Sequence, residues 1–383
     1  MDFSLTPEQT LLQQNLQAFL DREYGADVRS ATSRSGAAWD RMFWRRLAVE
    51  LGLLGLVVPE NAGGIGGGAV EVMLVMQAFG STLVVEPFLE SAVQATGLLR
   101  RIGGTTVDAL LASMARGERV VVVAWNESAD GSDPALVSCA AHLEDGIWRL
   151  TGHKIGVAAA PWADWFVVSA RTSGGDRDFQ GISLFLIDAR APGLQRKSYA
   201  TIDGRWSSDL YLEGAAAELL GVAGQAAPLL AQMFDEAIAA LAAEGLGIIW
   251  RMLDETVEYT RQRRQFGQAL ANFQALQHRM VDMLLQCEMA QCAVLRATLS
   301  LAASEAERAH ACSAAKVAIA RACRFVGQNA VQLHGAIGMT NELPLGAYFK
   351  RATVIERELG GVDAHLVRLA RHEQAQAAHR EGH

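Results

Sequence analysis

The sequence has few cysteines, and their spacing forms no recognisable metal or redox site. Five cysteines occur among 383 residues, and none of them forms a C-x-x-C pair. A disulfide framework or a zinc site requires paired, closely spaced cysteines, so this pattern favours buried free thiols in a reducing compartment. The five are Cys139, Cys287, Cys292, Cys312 and Cys323.

An excess of positive charge and long apolar runs are also missing. There are 34 lysines and arginines against 42 acidic residues, which gives a net charge of −8. A nucleic-acid binder needs a basic face to neutralise phosphates, so we expect no nucleic-acid partner. The opening MDFSLTPEQ has no basic stretch followed by an apolar run, and no apolar segment has the length of a bilayer. The sequence therefore predicts a cytoplasmic protein without a membrane span.

The pattern of elements changes twice along the chain, which predicts an α+β protein of three domains. Residues 1–117 are predicted to form a helical domain, whose first helix begins at a Thr6-Pro7 cap. Residues 118–226 carry short β-branched runs separated by turn residues, which predicts an antiparallel sheet. Residues 227–383 are alanine-rich and helical, which is typical of a bundle. The predicted strands are 120–125, 136–140, 146–150, 164–171, 181–187 and 209–213. The predicted C-terminal helices are 234–263, 273–303, 307–333, one from 345, and 363–378.

A basic stretch within residues 259–283 is the most distinctive feature. Arg261, Arg263 and Arg264 precede Phe266-Gly267, where glycine indicates a helix C-terminus. A new helix is predicted from Phe273. Guanidinium groups and an aromatic ring at such a corner suit an anion attached to a flat ring system. A surface charge cluster followed by an ordinary amphipathic helix would give the same pattern, so both interpretations stay open.

The segments RRQFGQALANFQALQHRMVDM and QLHGAIGMTNELPLGAYFKR resemble two signatures of the acyl-CoA dehydrogenase family. The resemblance extends over nearly the whole chain. It implies a helical N-terminal domain, an antiparallel β domain and a C-terminal helical bundle. It also implies FAD as cofactor, an acyl-CoA thioester as substrate and an electron-transfer flavoprotein as electron acceptor. Family members form dimers or tetramers in which neighbouring subunits share FAD.

The resemblance implies FAD contacts in two parts of the site. The family residues expected at the adenine and pyrophosphate half are retained more fully than those at the flavin half. By their match to the family motifs, the expected contacts of the adenine and pyrophosphate half are Arg263, Phe266, Phe273, Gln274, Gln332, Gly335 and Ala336. On the flavin side, Asn126 stands where the family has threonine, whereas Ser132 is retained. Gly156 replaces the family tryptophan that covers the flavin, and Ala158 replaces a hydroxyl residue.

The position of the family's catalytic glutamate is occupied by Leu359, and the alternative position on the preceding helix by Ala237. Three carboxylates lie nearby in the sequence, Glu236, Glu244 and Glu358. Glu244 lies in an alanine- and glycine-rich run, where a carboxylate is either paired or functional. It is the expected catalytic base, with a paired structural role as the alternative.

Three further segments resemble the small subunit of two-subunit bacterial acyl-CoA dehydrogenases, such as pimeloyl-CoA dehydrogenase: DEAIAALAAEGLG, SAAKVAIARACRFVGQNAVQLHGAIGMT and YFKRATVIERELGGVDAHLVRLA. This implies an FAD-dependent subunit that forms a trans-2-enoyl-CoA, as a homo-oligomer or a heterotetramer with a larger subunit. A non-catalytic partner that completes the FAD site of that larger subunit is the alternative. A third possibility is flavin-dependent oxygenation or nitroalkane oxidation on the same fold.

Overall fold

A computed structural model describes residues 4–25, 39–129, 131–340 and 342–381, with side chains to residue 374. The chain divides into two compact units. The helical unit comprises residues 1–31, 69–84 and 238–383, and the sheet unit comprises residues 32–68 and 85–237.

Ten α-helices lie in the described ranges. They are α1 (Pro7–Glu23), α2 (Arg41–Val49), α3 (Ala69–Thr82), α4 (Thr96–Ile102), α5 (Thr105–Ala115), α6 (Ala227–Gln262), α7 (Gln274–Ser300), α8 (Glu305–His334), α9 (Leu345–Arg357) and α10 (Val362–Glu381). A π-helical segment, Phe88–Ala95, precedes α4. Within the described residues, no helix combines the length and apolar character needed to cross a bilayer.

Helix α1 begins as the sequence predicts. The Thr6 hydroxyl accepts a hydrogen bond from the Gln9 backbone N–H, and the Gln9 side chain accepts one from the Thr6 backbone. Pro7 follows the cap. This reciprocal capping box satisfies backbone donors that a helix start otherwise leaves unpaired.

Two glycines allow α3 and α6 to cross closely in the helical unit. A Cβ placed on Gly80 would lie 2.0 Å from the carbonyl oxygen of Glu244, and one on Gly247 would lie 2.0 Å from that of Gln77. No side chain fits at such distances, so the backbones themselves are in contact. Glu244 is therefore held at the centre of a tight helix crossing.

The sheet unit contains a seven-stranded sheet. Its strands are β1 (Val121–Ala124), β2 (Ala140–Glu144), β3 (Ile147–Ala158), β4 (Trp165–Arg171), β5 (Ile182–Asp188), β6 (Leu194–Ala200) and β7 (Trp206–Leu220). Strands β4, β2, β3, β7 and β5 pair in that order, and β5 returns to β4, so the ring of pairings closes. Strand β1 pairs with β4 and β6 with β7.

The predicted α+β architecture is confirmed, with differences in detail. The sheet is mostly antiparallel, as predicted, although β4 pairs in parallel with β1 and, at one position, with β2. Residues 136–139 lie outside the strands, and β6 has no counterpart among the predicted strands. The sequence does not predict β6, because six of its seven residues are exposed and its positions do not alternate between buried and exposed.

Candidate functional site

The basic stretch forms a two-stranded hairpin instead of a helix end. Helix α6 stops at Gln262, and β8 (Arg264–Gln265) then pairs with β9 (Gln268–Ala269). Phe266 and Gly267 form the turn, with φ angles of 52° and 83°. Gly267 has the predicted positive φ, but the prediction that it ends a helix is wrong. The start of the next helix at Gln274, after Phe273, is as predicted.

Both the backbone conformation of Phe266 and the exposure of its apolar ring to solvent are energetically unfavourable. A left-handed backbone costs a non-glycine residue about 1–2 kcal/mol, and Phe266 as a residue is 90% exposed. The only ring contact it makes in the described residues is with Phe273, edge to face at 6.2 Å between centroids. Strain of this kind, combined with exposure of a large apolar ring, is typical of a binding surface.

The arginines around this turn are exposed, and none of them has a carboxylate partner within the described part of the chain. Among the described residues, no salt bridge involves Arg261, Arg263 or Arg264. The backbone of Arg263 is nevertheless fixed, because its N–H donates to Tyr259 and its carbonyl accepts from Leu270, both at 2.9 Å. A fixed backbone with an unpaired guanidinium suits recognition of an anionic group.

The second signature segment lies at the end of α8. Gly335 caps this helix with φ 67°, and Gln332, Gly335 and Ala336 are all exposed. Among the described residues, no atom outside its chain neighbours lies within 4 Å of a Cβ built on Gly335, so its backbone angle, and not crowding, favours glycine there.

Tyr259 and His334 connect the ends of α6 and α8. Their rings stack with centroids 4.3 Å apart, and the Tyr259 hydroxyl donates to the His334 carbonyl at 3.3 Å. Burial lowers the pKa of His334, which keeps its ring neutral. The structure thus fixes the two segments that carry Arg263 and Gln332 relative to each other.

In the sheet unit, hydrogen bonds of Asn126 connect the loop after β1 to strand β3. Its carbonyl accepts from Ile155 N–H at 2.9 Å, and its Nδ2 donates to the Ile155 carbonyl at 3.2 Å. Its Oδ1 accepts from Ser128 N–H. Ser132 lies half-buried further along this loop, and Asp130 lies outside the described residues. Asn126 therefore uses its polar atoms within the protein.

A buried ion pair supports the same loop. The Nζ of Lys154 donates to Glu127 Oε1 at 2.5 Å, to Ser169 Oγ and to the Trp125 carbonyl. Glu127 also accepts from the backbone N–H groups of Ser138 and Cys139. Burial raises the pKa of the Cys139 thiol to about 11, so this cysteine stays protonated.

Glu244, the expected base, is engaged in a buried ion pair. Its two oxygens accept from Nε and Nη2 of Arg351 at 2.7 and 2.8 Å, and both side chains are almost fully buried. A carboxylate held on both oxygens by a guanidinium is a weak proton acceptor. The pairing does not suit a general base and favours the alternative structural role.

The other two carboxylates are also paired with arginines. Glu236 contacts Arg101 at 3.0 Å and Arg100 at 3.4 Å within the sheet unit. Glu358 accepts from Nη1 of Arg351 at 2.9 Å, and its side chain is 22% exposed. Ala237, at the alternative base position, is fully buried.

Leu359 lies in a tightly held turn after α9. Its φ is 57°, its side chain is 8% exposed, and its carbonyl accepts from His365 Nε2 at 2.8 Å. The Nζ of Lys316 donates to the carbonyls of Ile355 and Glu356 just before the turn. The turn is fixed in position, but leucine supplies no proton acceptor.

Comparison with protein family models identifies the family of the chain. Residues 6–118, 123–215 and 227–373 match the models described as acyl-CoA dehydrogenase N-terminal, middle and C-terminal domains. This chain belongs to the acyl-CoA dehydrogenase family. The family is one of FAD-binding oxidoreductases that act on acyl-CoA.

Several relatives match over nearly their whole length. "Acyl-CoA dehydrogenase FadE27" of Mycobacterium tuberculosis is 29% identical over 97% of this chain and 98% of its own. A variant of the Tcur3481-Tcur3483 steroid ACAD is 30% identical, with a TM-score of 0.87 over 97% of this chain and 99% of its own. The ChsE4-ChsE5 complex from M. tuberculosis is 28% identical, with a TM-score of 0.87 over 97% of this chain and 98% of the matched chain.

Sequence reasoning missed the residues that hold the candidate site residues in place. Tyr259 appeared only as the start of the basic stretch, and Arg351 only as the end of a motif. No local signal could identify Arg351 as the partner of Glu244, because 107 positions separate them. The apolar run around Glu244 did indicate a buried carboxylate, and a buried carboxylate needs a partner.

Proposed function

We propose that this chain is a cytoplasmic subunit of an FAD-dependent acyl-CoA dehydrogenase. It would form the trans-2 double bond of an acyl-CoA thioester and pass electrons to an electron-transfer flavoprotein. The observation that carries the proposal is the hairpin, where a strained, exposed Phe266 lies close in sequence to Arg263, which has no salt bridge to any described residue. Family membership supplies the reaction class.

The residues of the helical unit fit the adenine and pyrophosphate half of FAD. Arg263 has a guanidinium free to bind a pyrophosphate oxygen, and Phe266 offers an uncovered ring face for an aromatic base. Gln274 and Gln332 are exposed amides on helix ends fixed near the hairpin. When bound, FAD supplies the hydride acceptor, and the residues named here bind and orient it.

The exposure of Phe266 favours a cofactor shared with a second chain. A ring that is 90% exposed leaves apolar surface in water unless a ligand or partner covers it. We propose a homo-oligomer or a heterotetramer with a larger acyl-CoA dehydrogenase subunit. In the heterotetramer this chain would correspond to the small subunit of enzymes like pimeloyl-CoA dehydrogenase. The similarity to one chain of the ChsE4-ChsE5 complex supports a two-chain assembly.

A non-catalytic partner role is the second candidate. We keep this candidate because Glu236, Glu244 and Glu358 have arginine partners and because Leu359 occupies the family base position. In that role the chain would complete an FAD site on the larger subunit, which would supply the base.

The test is to purify the tagged chain from its own host together with any partner. We expect a flavin absorption band that bleaches when an acyl-CoA is added, and electron transfer to an electron-transfer flavoprotein. Arg263→Ala should lose most of the flavin, because an oxygen of the pyrophosphate would lose its charged donor. Arg296→Ala is the matched control, because Arg296 is also an arginine of the helical unit and lies on α7, away from the hairpin in sequence.

Three outcomes would contradict the proposal. An assembly without flavin would exclude the family reaction for this chain. Flavin retention in the Arg263→Ala variant equal to that of the control would remove the assigned role of the hairpin. Oxygen consumption with reduced flavin and no acyl-CoA would indicate oxygenation instead.

A further inference from the structure

The pairing of strand β3 with β7 is irregular where the resemblance places the flavin-facing surface. The β3–β7 pairing shifts register between Lys154 and Val157, so that Ile155 and Gly156 bulge opposite Asp209. Gly156 adopts φ 60°. A left-handed residue in a bulge favours glycine, because any Cβ there is strained. Gly156, which stands in place of the family tryptophan, therefore has a backbone conformation that a tryptophan would strain.

The donors of this bulge are all directed at protein acceptors. Gly156 N–H donates to Asp209 Oδ1 at 3.0 Å, and the Tyr199 hydroxyl donates to the same oxygen at 3.1 Å. Ile155 N–H and the Asn126 amide are used in the mutual contact described above. We call Asn126, Ile155, Gly156, Tyr199 and Asp209 the Asp209 patch.

The chemistry of the patch does not match that of an isoalloxazine ring. The ring presents two carbonyl oxygens and unprotonated nitrogens, all acceptors, and only one N–H donor. A surface that binds it needs available donors. The Asp209 patch has its donors occupied and adds a carboxylate, which only accepts. Lys197 lies opposite Asp209 in the β6–β7 register, but no salt bridge joins them among the described residues.

We propose that Asp209 closes the sheet unit of this chain to the flavin ring. The flavin served by the hairpin would then be held by the sheet domain of a different, larger partner chain, so the inference favours the heterotetramer over the homo-oligomer. This inference rests on the proposed function, because the flavin-facing assignment comes from the family. It goes beyond the proposed function by naming the residue that prevents flavin binding: the carboxylate of Asp209 on β7, which accepts hydrogen bonds from the donors at the β3 bulge.

The test uses riboflavin, which carries the ring without the adenine and pyrophosphate half. The full chain is titrated with riboflavin, and binding is followed by quenching of its fluorescence. We expect very weak binding by the natural chain. Asp209→Ala should bind at least about tenfold tighter, because Gly156 N–H and the Tyr199 hydroxyl become available to ring acceptors. Asp209→Ser serves the same purpose if the alanine variant does not fold.

Glu213→Gln is the matched control. Glu213 is exposed on the same strand, and its substitution removes the same charge without touching the patch. It should bind riboflavin as weakly as the natural chain. If it gains affinity equally, net charge and not the patch is responsible, and the inference is overturned.

Two further results would overturn the inference without affecting the proposed function. One is tight riboflavin binding by the natural chain that Asp209→Ala weakens, which would make Asp209 a flavin ligand. The other is unchanged binding in folded Asp209→Ala and Asp209→Ser variants. Conversely, an Arg263→Ala assembly that keeps its flavin contradicts the proposed role of the hairpin and leaves the riboflavin result as it stands.

Discussion

Replacing Glu244 by glutamine should destabilise the helical unit without removing a catalytic base. The pair with Arg351 has two short contacts and is almost fully buried. Breaking a buried pair typically costs about 3–5 kcal/mol, because the remaining charge is left uncompensated. Arg351 keeps its contact with Glu358, and glutamine keeps one acceptor, so we expect a loss of about 3 kcal/mol.

The assay for Glu244→Gln is equilibrium unfolding in urea together with turnover of the purified assembly. The unfolding midpoint should fall while the slope is unchanged, which identifies a change in stability. Glu358→Gln is the matched control: it removes a single, partly exposed contact of the same arginine, and we expect less than about 1 kcal/mol. A Glu244→Gln variant with normal stability and no turnover would refute the structural role and make Glu244 the base.

Three other predictions concern buried titratable groups and the one exposed thiol of the described chain. Burial lowers the pKa of Lys316 from 10.5 to about 8. Between these pH values the unfolded chain binds more protons than the folded chain, so the free energy of unfolding should rise with pH. Lys316→Met should abolish this slope in urea unfolding. Burial lowers the pKa of His365 from 6.5 to about 4, so stability should fall by roughly 3 kcal/mol as pH drops from 6.5 to 4, and His365→Gln should flatten this acid limb. Cys292 is the exposed cysteine, so a thiol reagent at mildly alkaline pH should label one site in the folded chain, and Cys292→Ser should abolish the labelling. A flat alkaline profile, an acid limb unchanged by His365→Gln, or labelling of several thiols would contradict the respective prediction.

The sequence predicted those features that depend on neighbouring residues. The Thr6 capping box and the start of α7 after Phe273 follow from local hydrogen bonding and propensity, and both are present. The hairpin at Phe266 was not predicted, because a two-residue turn with two positive φ angles usually carries Asn-Gly or Asp-Gly. Phenylalanine at its first position contradicts that preference, so the local pattern indicated a helix end instead.

The partners of Glu244 and Gly156 could not be predicted because they depend on the alignment of distant segments. Arg351 reaches Glu244 only because α9 packs within the helical unit near the crossing of α3 and α6. Asp209 reaches Gly156 only because of a register shift in β3–β7, and a shift of one residue reverses which face a side chain occupies. Periodicity identifies a strand but leaves its register undetermined.

The turn at Leu359 is held firmly by surrounding side chains, although the residue at its centre has no catalytic group. Lys316 on α8 donates to the carbonyls just before the turn, His365 on α10 donates to the Leu359 carbonyl itself, and Arg351 on α9 binds the neighbouring Glu358. Three helices thus hold a backbone with a φ of 57°, although leucine gains nothing from that strained conformation. An unneeded strain of this kind persists only where the surrounding contacts enforce it. The contacts around Leu359 therefore maintain the turn itself, while the leucine side chain at its centre has no proton acceptor, so a base for the proposed reaction would have to be another residue.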